Sequence, residues 1–170
     1  MFIQANYIQM NSIQKFRAAG NNKDRIIYTL YSLGALFFFG IAIFTGLRLL
    51  THASLNTDTA ALVFIVTGLY ILLQGIVAYG LFYCQKWIRT IFIVHILCSL
   101  ITFAVVMPFF QLNSFILNSL ISSLLYWVLL LFTFTTSRYC TGTYLHLVFV
   151  PLYGFLLSLF IGLRLYTLLV

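Results

Sequence analysis

Three side chains that can form hydrogen bonds lie deep inside long apolar stretches of the sequence: Gln74, His95 and Tyr126. A polar group surrounded by hydrocarbon must find a partner inside the protein or reach water. Counted at the rise of an α-helix, all three lie roughly 12–14 Å from the same end of the bundle. This shared depth predicts one polar layer across a set of packed helices.

Two stripes of polar residues accompany this layer. His95, Ser99 and Thr102 recur at helical spacing on one stretch, and residues 118–126 (NSLISSLLY) place Asn, Ser and Tyr side chains on the next. Small hydroxyl residues let helices approach each other closely, so one interpretation of both stripes is helix packing alone. The alternatives for His95 are a proton-sensitive switch, a hydrogen bond to a substrate, or a haem ligand.

Two arginines and one proline are further candidates. Arg48 and Arg164 lie in similar segments, FTGLRLL at 44–50 and FIGLRLY at 160–166. The likeness fits either duplication of a helix or coincidence between Leu-rich stretches. Both arginines are candidate contacts for an anionic ligand on the outer face, or they extend to lipid phosphates. Pro151 is a candidate kink, because proline leaves one backbone carbonyl of a helix without its donor.

No residue pattern in the sequence is typical of catalysis. HExxH, Walker A, GxSxG and zinc-spaced motifs do not occur. The carboxylates Asp24 and Asp58 both lie outside the apolar stretches, which disfavours a proton- or sodium-driven carrier. His52 and His146 do not match His95 in depth, which disfavours a haem held by two histidines. We therefore expect no enzyme, no metal and no cofactor.

The helices that position these residues are predicted from the amino-acid composition of the chain. Hydrophobic residues make up 63% of the chain and charged residues only 6%, whereas soluble domains contain about 25% charged residues. A chain of 170 residues cannot bury so much apolar surface in water, so lipid must solvate part of it. We predict an all-α transmembrane helix bundle of about five spans, formed by residues 26–50, 60–83, 87–110, 115–134 and 144–170.

Basic residues predict the orientation of the bundle. With a cytoplasmic N-terminus and an outer C-terminus, two basic residues lie outside, Arg48 and Arg164, and seven lie inside: Lys15, Arg17, Lys23, Arg25, Lys86, Arg89 and Arg138. This split follows the positive-inside rule. A four-span alternative would lay the last segment on the surface, but that segment is apolar all round. The abundance of Phe, Ile, Tyr and Asn fits a bacterial inner membrane.

Residues 1–25 form a separate cytoplasmic or interfacial segment. Its apolar residues recur partly at helical spacing, which fits either a short interfacial helix or a flexible tail, and Met10 is an alternative start to Met1. Lys15 and Arg17 would face anionic headgroups. Cys84 and Cys140 flank apolar stretches, where cysteines can be acylated, although inert thiols are the simpler interpretation.

Three classes of function are compatible with these features, and the weakest is a membrane-embedded enzyme, whose catalysis would have to rest on His95 and Tyr126. Short loops, few ionisable groups and small-residue packing faces favour a non-enzymatic accessory or assembly subunit of a larger membrane complex. The alternative is a small transporter, channel, or lipid- or small-molecule-binding protein that uses the Gln74–His95–Tyr126 layer. The expected partners are membrane lipids and other membrane subunits or a second copy of this chain, and not nucleic acid.

Overall fold

The computed structural model describes the backbone of residues 11–52, 57–106, 114–142 and 144–169. Within these ranges the side chains of residues 48–52, 57–60, 105–106, 114–120, 122 and 164–169 are not described. The predicted start at Met1 or Met10 lies outside the described residues, as do the side chains of Arg48 and Arg164.

The described part of the chain is all-helical. Its helices are α1 (Ser12–Ala18), α2 (Asn22–His52), α3 (Thr57–Phe82), α4 (Ile88–Val106), α5 (Ser114–Thr135) and α6 (His146–Leu169), with a 3₁₀ turn at Ser137–Tyr139. Helix α1 begins with a capping box, in which Asn11 and Gln14 each accept a hydrogen bond from the other's backbone N–H.

The all-α prediction is therefore confirmed. Three segments of the described chain are long and apolar enough to cross a membrane: Asn22–Leu47, Ala61–Phe82 and His146–Leu163. Two shorter apolar segments, Ile88–Ala104 and Ser123–Thr135, belong to α4 and α5. The count of five spans and the orientation of the bundle stay predictions.

The five long helices pack in a closed ring whose order differs from the chain order. Helix α2 packs on α3, α3 on α6, α6 on α4, and α4 on α5. Aromatic side chains complete the ring between α5 and α2, where Tyr31 contacts Phe132 at 5.1 Å and Phe38 contacts Tyr126 at 5.9 Å between ring centroids. Helices α3 and α4 also contact each other, where Gly80 lies beside Trp87 and Ile88, and every long helix turns one face toward a common centre.

Helix α1 lies against α2 and covers one end of this ring, which we call the α1 end. The side-chain hydroxyls of Ser12 and Ser32 join the two helices through a 2.7 Å hydrogen bond. The expectation that Lys15 faces lipid headgroups is wrong, because Lys15 is only 2% exposed and its Nζ donates to the carbonyl of Tyr83 at 3.4 Å. Its burial lowers the pKa of Lys15 from the ordinary value of 10.5.

Two buried cysteines lie beside Lys15 at the α1 end. Cys84 and Cys140 belong to connecting segments that are paired by backbone hydrogen bonds, with Thr141 N donating to the Cys84 carbonyl at 2.9 Å. Burial raises the pKa of Cys84 to about 12. Both thiols are inaccessible, which supports the interpretation as inert thiols over acylation.

Cys84 also ends helix α3 in an unusual way. Its φ of 49° lies in the left-handed region, and the N–H groups of Cys84 and Gln85 donate to the carbonyls of Leu81 and Gly80. This pattern is a Schellman motif, in which glycine normally occupies the left-handed position. A cysteine there adds backbone strain, which the surrounding contacts must offset.

Candidate functional site

A cavity of about 550 Å³ lies at the centre of the ring of helices. All five long helices contribute to its wall, through residues such as Phe38, Thr67, Ser99, Leu125 and Leu157. Its volume lies within the range of about 300–1,000 Å³ that is usual for small-molecule sites. The position of the cavity follows from the closed ring, because each helix turns one face inward and the side chains there do not fill the space.

The structure brings Gln74, His95 and Tyr126 together in the wall of this cavity. The imidazole of His95 stacks on the ring of Tyr126, with centroids 3.8 Å apart and planes inclined by 13°. These residues belong to three different helices, and the sequence relates them only by their distance from one end of the bundle. In the structure they form one cluster.

Tyr153 completes the cluster, although sequence reasoning did not single it out. This fully buried residue of α6 shares a 2.8 Å hydrogen bond between its Oη and His95 Nδ1. Tyr70 of α3 also lines the cavity, and its ring lies 5.8 Å from that of Phe160. Counting tyrosines by depth would have found Tyr153, which lies as far into α6 as His95 lies into α4.

Two polar atoms of the cluster are buried without a hydrogen-bond partner in the described part of the protein: Gln74 Oε1 and Tyr126 Oη. Gln74 is 4% exposed and Tyr126 is 3% exposed. Tyr126 Oη lies near the side chains of Gln74 and Tyr153, but no hydrogen bond of ordinary geometry joins them. A buried polar group left unpaired costs about 1–3 kcal/mol, so a molecule in the cavity that pairs with these atoms would be bound more tightly.

The polar stripe on α4 faces the same space. Ser99 and Thr102 both line the cavity, and the Thr102 hydroxyl donates to the Cys98 carbonyl at 2.7 Å within its own helix. On α5, Ser123 is buried, whereas the side chains of residues 118, 119 and 122 lie outside the described residues. Both stripes thus contribute to the cavity wall, the first through His95, Ser99 and Thr102 and the second through Tyr126.

The other candidates are not part of this cluster. Arg48 and Arg164 cannot be placed relative to the cavity because their side chains are not described. Pro151 lies within α6, which runs through it from His146 to Leu169, and it lines a separate groove at the α1 end. The kink at Pro151 stays a prediction.

The cavity is closed toward the α1 end and extends toward the opposite end. Between the polar layer and α1, the centre of the bundle is filled by fully buried side chains, including Val77, Leu81, Ile88 and Ile91. On the other side of the polar layer, the cavity extends as far as Thr45 and the lining residues close to it. In this conformation the bundle contains a pocket that ends at the polar layer, and not a continuous pore.

The chemistry available in this pocket is hydrogen bonding and aromatic contact. The described side chains that line it include no Asp, Glu, Lys or Arg. The described residues also contain no group of three or more His, Cys, Asp or Glu that could hold a metal ion. A ligand that fits this wall is uncharged, donates a hydrogen bond to Gln74 Oε1 and pairs with Tyr126 Oη.

Comparisons with models of protein families, with curated proteins and with solved structures found no match for this chain.

Proposed function

We propose that this chain is a five-span, non-enzymatic membrane protein that binds a small uncharged molecule in its central cavity. The observation that carries the proposal is the pair of unpartnered buried atoms, Gln74 Oε1 and Tyr126 Oη, in the wall of that cavity. Packing alone does not require either polar atom, because Leu at 74 and Phe at 126 would fill similar space without the unpaired groups.

The lining restricts the class of ligand. Aromatic and aliphatic side chains such as Phe38, Tyr70 and Leu157 surround the ligand, while the amide and hydroxyl groups orient it. Charged ligands would be buried without an opposite charge, which is costly in a low-dielectric site. The proposed ligand is therefore a small neutral molecule that combines an apolar or aromatic body with at least one hydrogen-bond donor.

The orientation follows the charge distribution described above. We place the N-terminus and the α1 end in the cytoplasm of a bacterial cell, with the cavity extending toward the outer side of the inner membrane. A carrier would also need the packed residues around Ile91 to separate and open the cytoplasmic side. Because those side chains are fully buried, the proposal is limited to binding.

The test compares two serines that differ in their surroundings. Ser99 lines the cavity, whereas Ser158 is exposed on the outer surface of α6, where its hydroxyl donates only to the Gly154 carbonyl of its own helix. Ser99→Phe should fill the cavity, and Ser158→Phe is the matched control. Small molecules are extracted from purified protein and identified by mass spectrometry, and thermal unfolding is followed with a panel of uncharged phenols, alcohols and amides.

We expect wild-type protein and Ser158→Phe to be stabilised by the same compounds, and Ser99→Phe to lose the response. At a concentration one hundred times the Kd, binding stabilises a protein by about 2.7 kcal/mol, which a thermal shift detects easily. If Ser99→Phe responds as strongly as wild-type protein, the central cavity is not the binding site and the proposal fails.

The accessory-subunit hypothesis stays a prediction, since no described feature bears on it. Mass spectrometry of the protein purified in mild detergent distinguishes the accessory-subunit hypothesis from the ligand-binding proposal. Stoichiometric co-purifying membrane subunits would support assembly into a larger complex. A monomer that retains its ligand would support binding as the function of the isolated chain.

A further inference from the structure

The ring of helices is held together least tightly between α2 and α5. In the described residues, the backbones of these two helices contact each other less extensively than those of the other neighbours in the ring. Aromatic side chains bridge the distance between them. From the α1 end outward, the bridging pairs are Tyr28 with Tyr139, Tyr31 with Phe132, and Phe38 with Tyr126. The outermost of these pairs belongs to the polar layer.

The central cavity reaches the region between α2 and α5 on the outer side of that pair, which we call the α2–α5 seam. Ile41 and Thr45 of α2 line the cavity there, opposite Ile121 and Leu125 of α5. Of the described lining residues, Ile121 alone is exposed, at 60%. A side chain that lines the cavity and is also exposed on the outside of the bundle marks a place where the wall is open.

The depth of this opening decides whether water or lipid lies in front of it. Counted from the inner ends of the predicted spans at the rise of an α-helix, Ile41 and Ile121 both lie roughly 20–22 Å deep. The hydrocarbon core of a bilayer is about 30 Å thick. The α2–α5 seam therefore opens into hydrocarbon, several ångströms short of the outer headgroups.

The outer surface beside the seam agrees with this depth. Leu124 on α5 and Phe44 on α2 are 67% and 68% exposed. Exposed side chains of this kind suit acyl chains and not water. A molecule that passes the seam must therefore be dissolved in the bilayer first, which excludes charged and strongly hydrated compounds.

We infer that the ligand of the central cavity is a neutral lipid with a hydroxyl head group, which enters from the bilayer through the α2–α5 seam. This inference rests on the proposed function, which places an uncharged molecule beside Gln74 and Tyr126. A hydroxyl group donates one hydrogen bond and accepts another, so it is matched to an amide oxygen and a phenol. The chain of the lipid passes between Ile41 and Ile121 into the bilayer, and its length is therefore not limited by the cavity volume of about 550 Å³.

Photolabelling in phospholipid vesicles tests the route. The probe is 1-hexadecanol with a diazirine near the middle of its chain, which light converts into a carbene that inserts into adjacent side chains. Labelled residues are identified by peptide mass spectrometry. Labelling that an excess of plain 1-hexadecanol displaces reports a specific site, and the remainder reports random contact with lipid.

We expect displaceable labelling on α2 and α5, at residues that flank the seam. Ile121→Trp should block the seam and abolish this labelling. Because Ile121 is exposed, the larger side chain does not have to fit into a packed core. Leu124→Trp is the matched control, since Leu124 is exposed on the same helix and does not line the cavity, and it should be labelled as wild-type protein is.

A second probe separates this inference from the proposed function. Benzyl alcohol is soluble in water and needs no route through the bilayer, and its binding is followed by thermal shift in wild-type protein and in Ser99→Phe. If benzyl alcohol stabilises wild-type protein and not Ser99→Phe, but displaceable labelling is absent or lies on α3, α4 or α6, the proposed function stands and the lipid inference is wrong.

Two further outcomes are decisive. Undiminished displaceable labelling of Ile121→Trp would overturn the seam as the route. If neither benzyl alcohol nor 1-hexadecanol gives a response that Ser99→Phe abolishes, the proposed function and the inference built on it both fail.

Discussion

Tyr126 provides the sharpest test of the central site, because three buried tyrosines among the described residues differ in their hydrogen bonds. Tyr153 Oη is bonded to His95 Nδ1 at 2.8 Å, and Tyr31 Oη is bonded to Thr136 Oγ1 at 2.8 Å and to Cys140 Sγ at 3.0 Å. Tyr126 Oη is buried without a partner in the described residues. Replacement by Phe removes the hydroxyl in each case and keeps the ring.

The expected free energies of unfolding follow from these partners. Tyr153→Phe breaks a bond inside the membrane and leaves His95 Nδ1 unpaired, which should destabilise the protein by about 1–3 kcal/mol. Tyr31→Phe should cost about 1 kcal/mol, because Thr136 retains its bond to the Phe132 carbonyl. Tyr126→Phe breaks no bond and removes an unsatisfied group, so it should leave the ligand-free protein unchanged or stabilise it by about 1–3 kcal/mol.

Denaturation in mixed detergent micelles measures these differences, with circular dichroism as the readout. The same variants are then examined for binding by thermal shift, using the compounds that stabilise wild-type protein. Tyr126→Phe should weaken binding by roughly two- to tenfold, the loss of one hydrogen bond, without loss of stability. If it instead destabilises the ligand-free protein as much as Tyr153→Phe does, Tyr126 Oη has a protein partner and the case for a ligand at this position is refuted.

Three further results are expected. Gly80→Ala should destabilise the bundle by about 1–3 kcal/mol in the same unfolding assay, because a Cβ there would lie 2.8 Å from Ile88 Cδ1; Gly75→Ala, with nothing within 4 Å, is the control and should be neutral or stabilising. Burial lowers the pKa of Lys15 below its unfolded value of 10.5, so the cost of burying its charge should fade as pH rises toward that value, opposite in sign to the effect of the raised pKa of Cys84. Lys15→Met should therefore be more stable than wild-type protein at neutral pH, and this difference should shrink as pH rises; a difference that does not change with pH would show that Lys15 is not the group responsible. Because burial raises the pKa of Cys84 to about 12, maleimide should label Cys84 at pH 8 only after unfolding, and rapid labelling of the folded protein, read by peptide mass spectrometry, would contradict its buried position.

Much of the candidate site could be predicted from depth alone. Apolar length identifies the stretches that become long helices, and the constant rise of a helix converts residue number into depth. This reasoning predicts one level for Gln74, His95 and Tyr126, and in the structure all three line one cavity. The same reasoning failed for Lys15. A basic residue near an interface normally reaches water, but the docking of α1 buries this one.

The sequence by itself determined the helices, their apolar character and the level at which polar groups lie, because these depend on local periodicity and on the solvent that each stretch requires. Only the tertiary structure decided which face of each helix turns inward, and with it the ring order, the pairing of His95 with Tyr153 and the empty space beside Tyr126. The physical reason is that rotation about a helix axis and the choice of neighbours depend on packing between side chains far apart in the chain, which almost uniformly apolar helices do not encode in any local pattern.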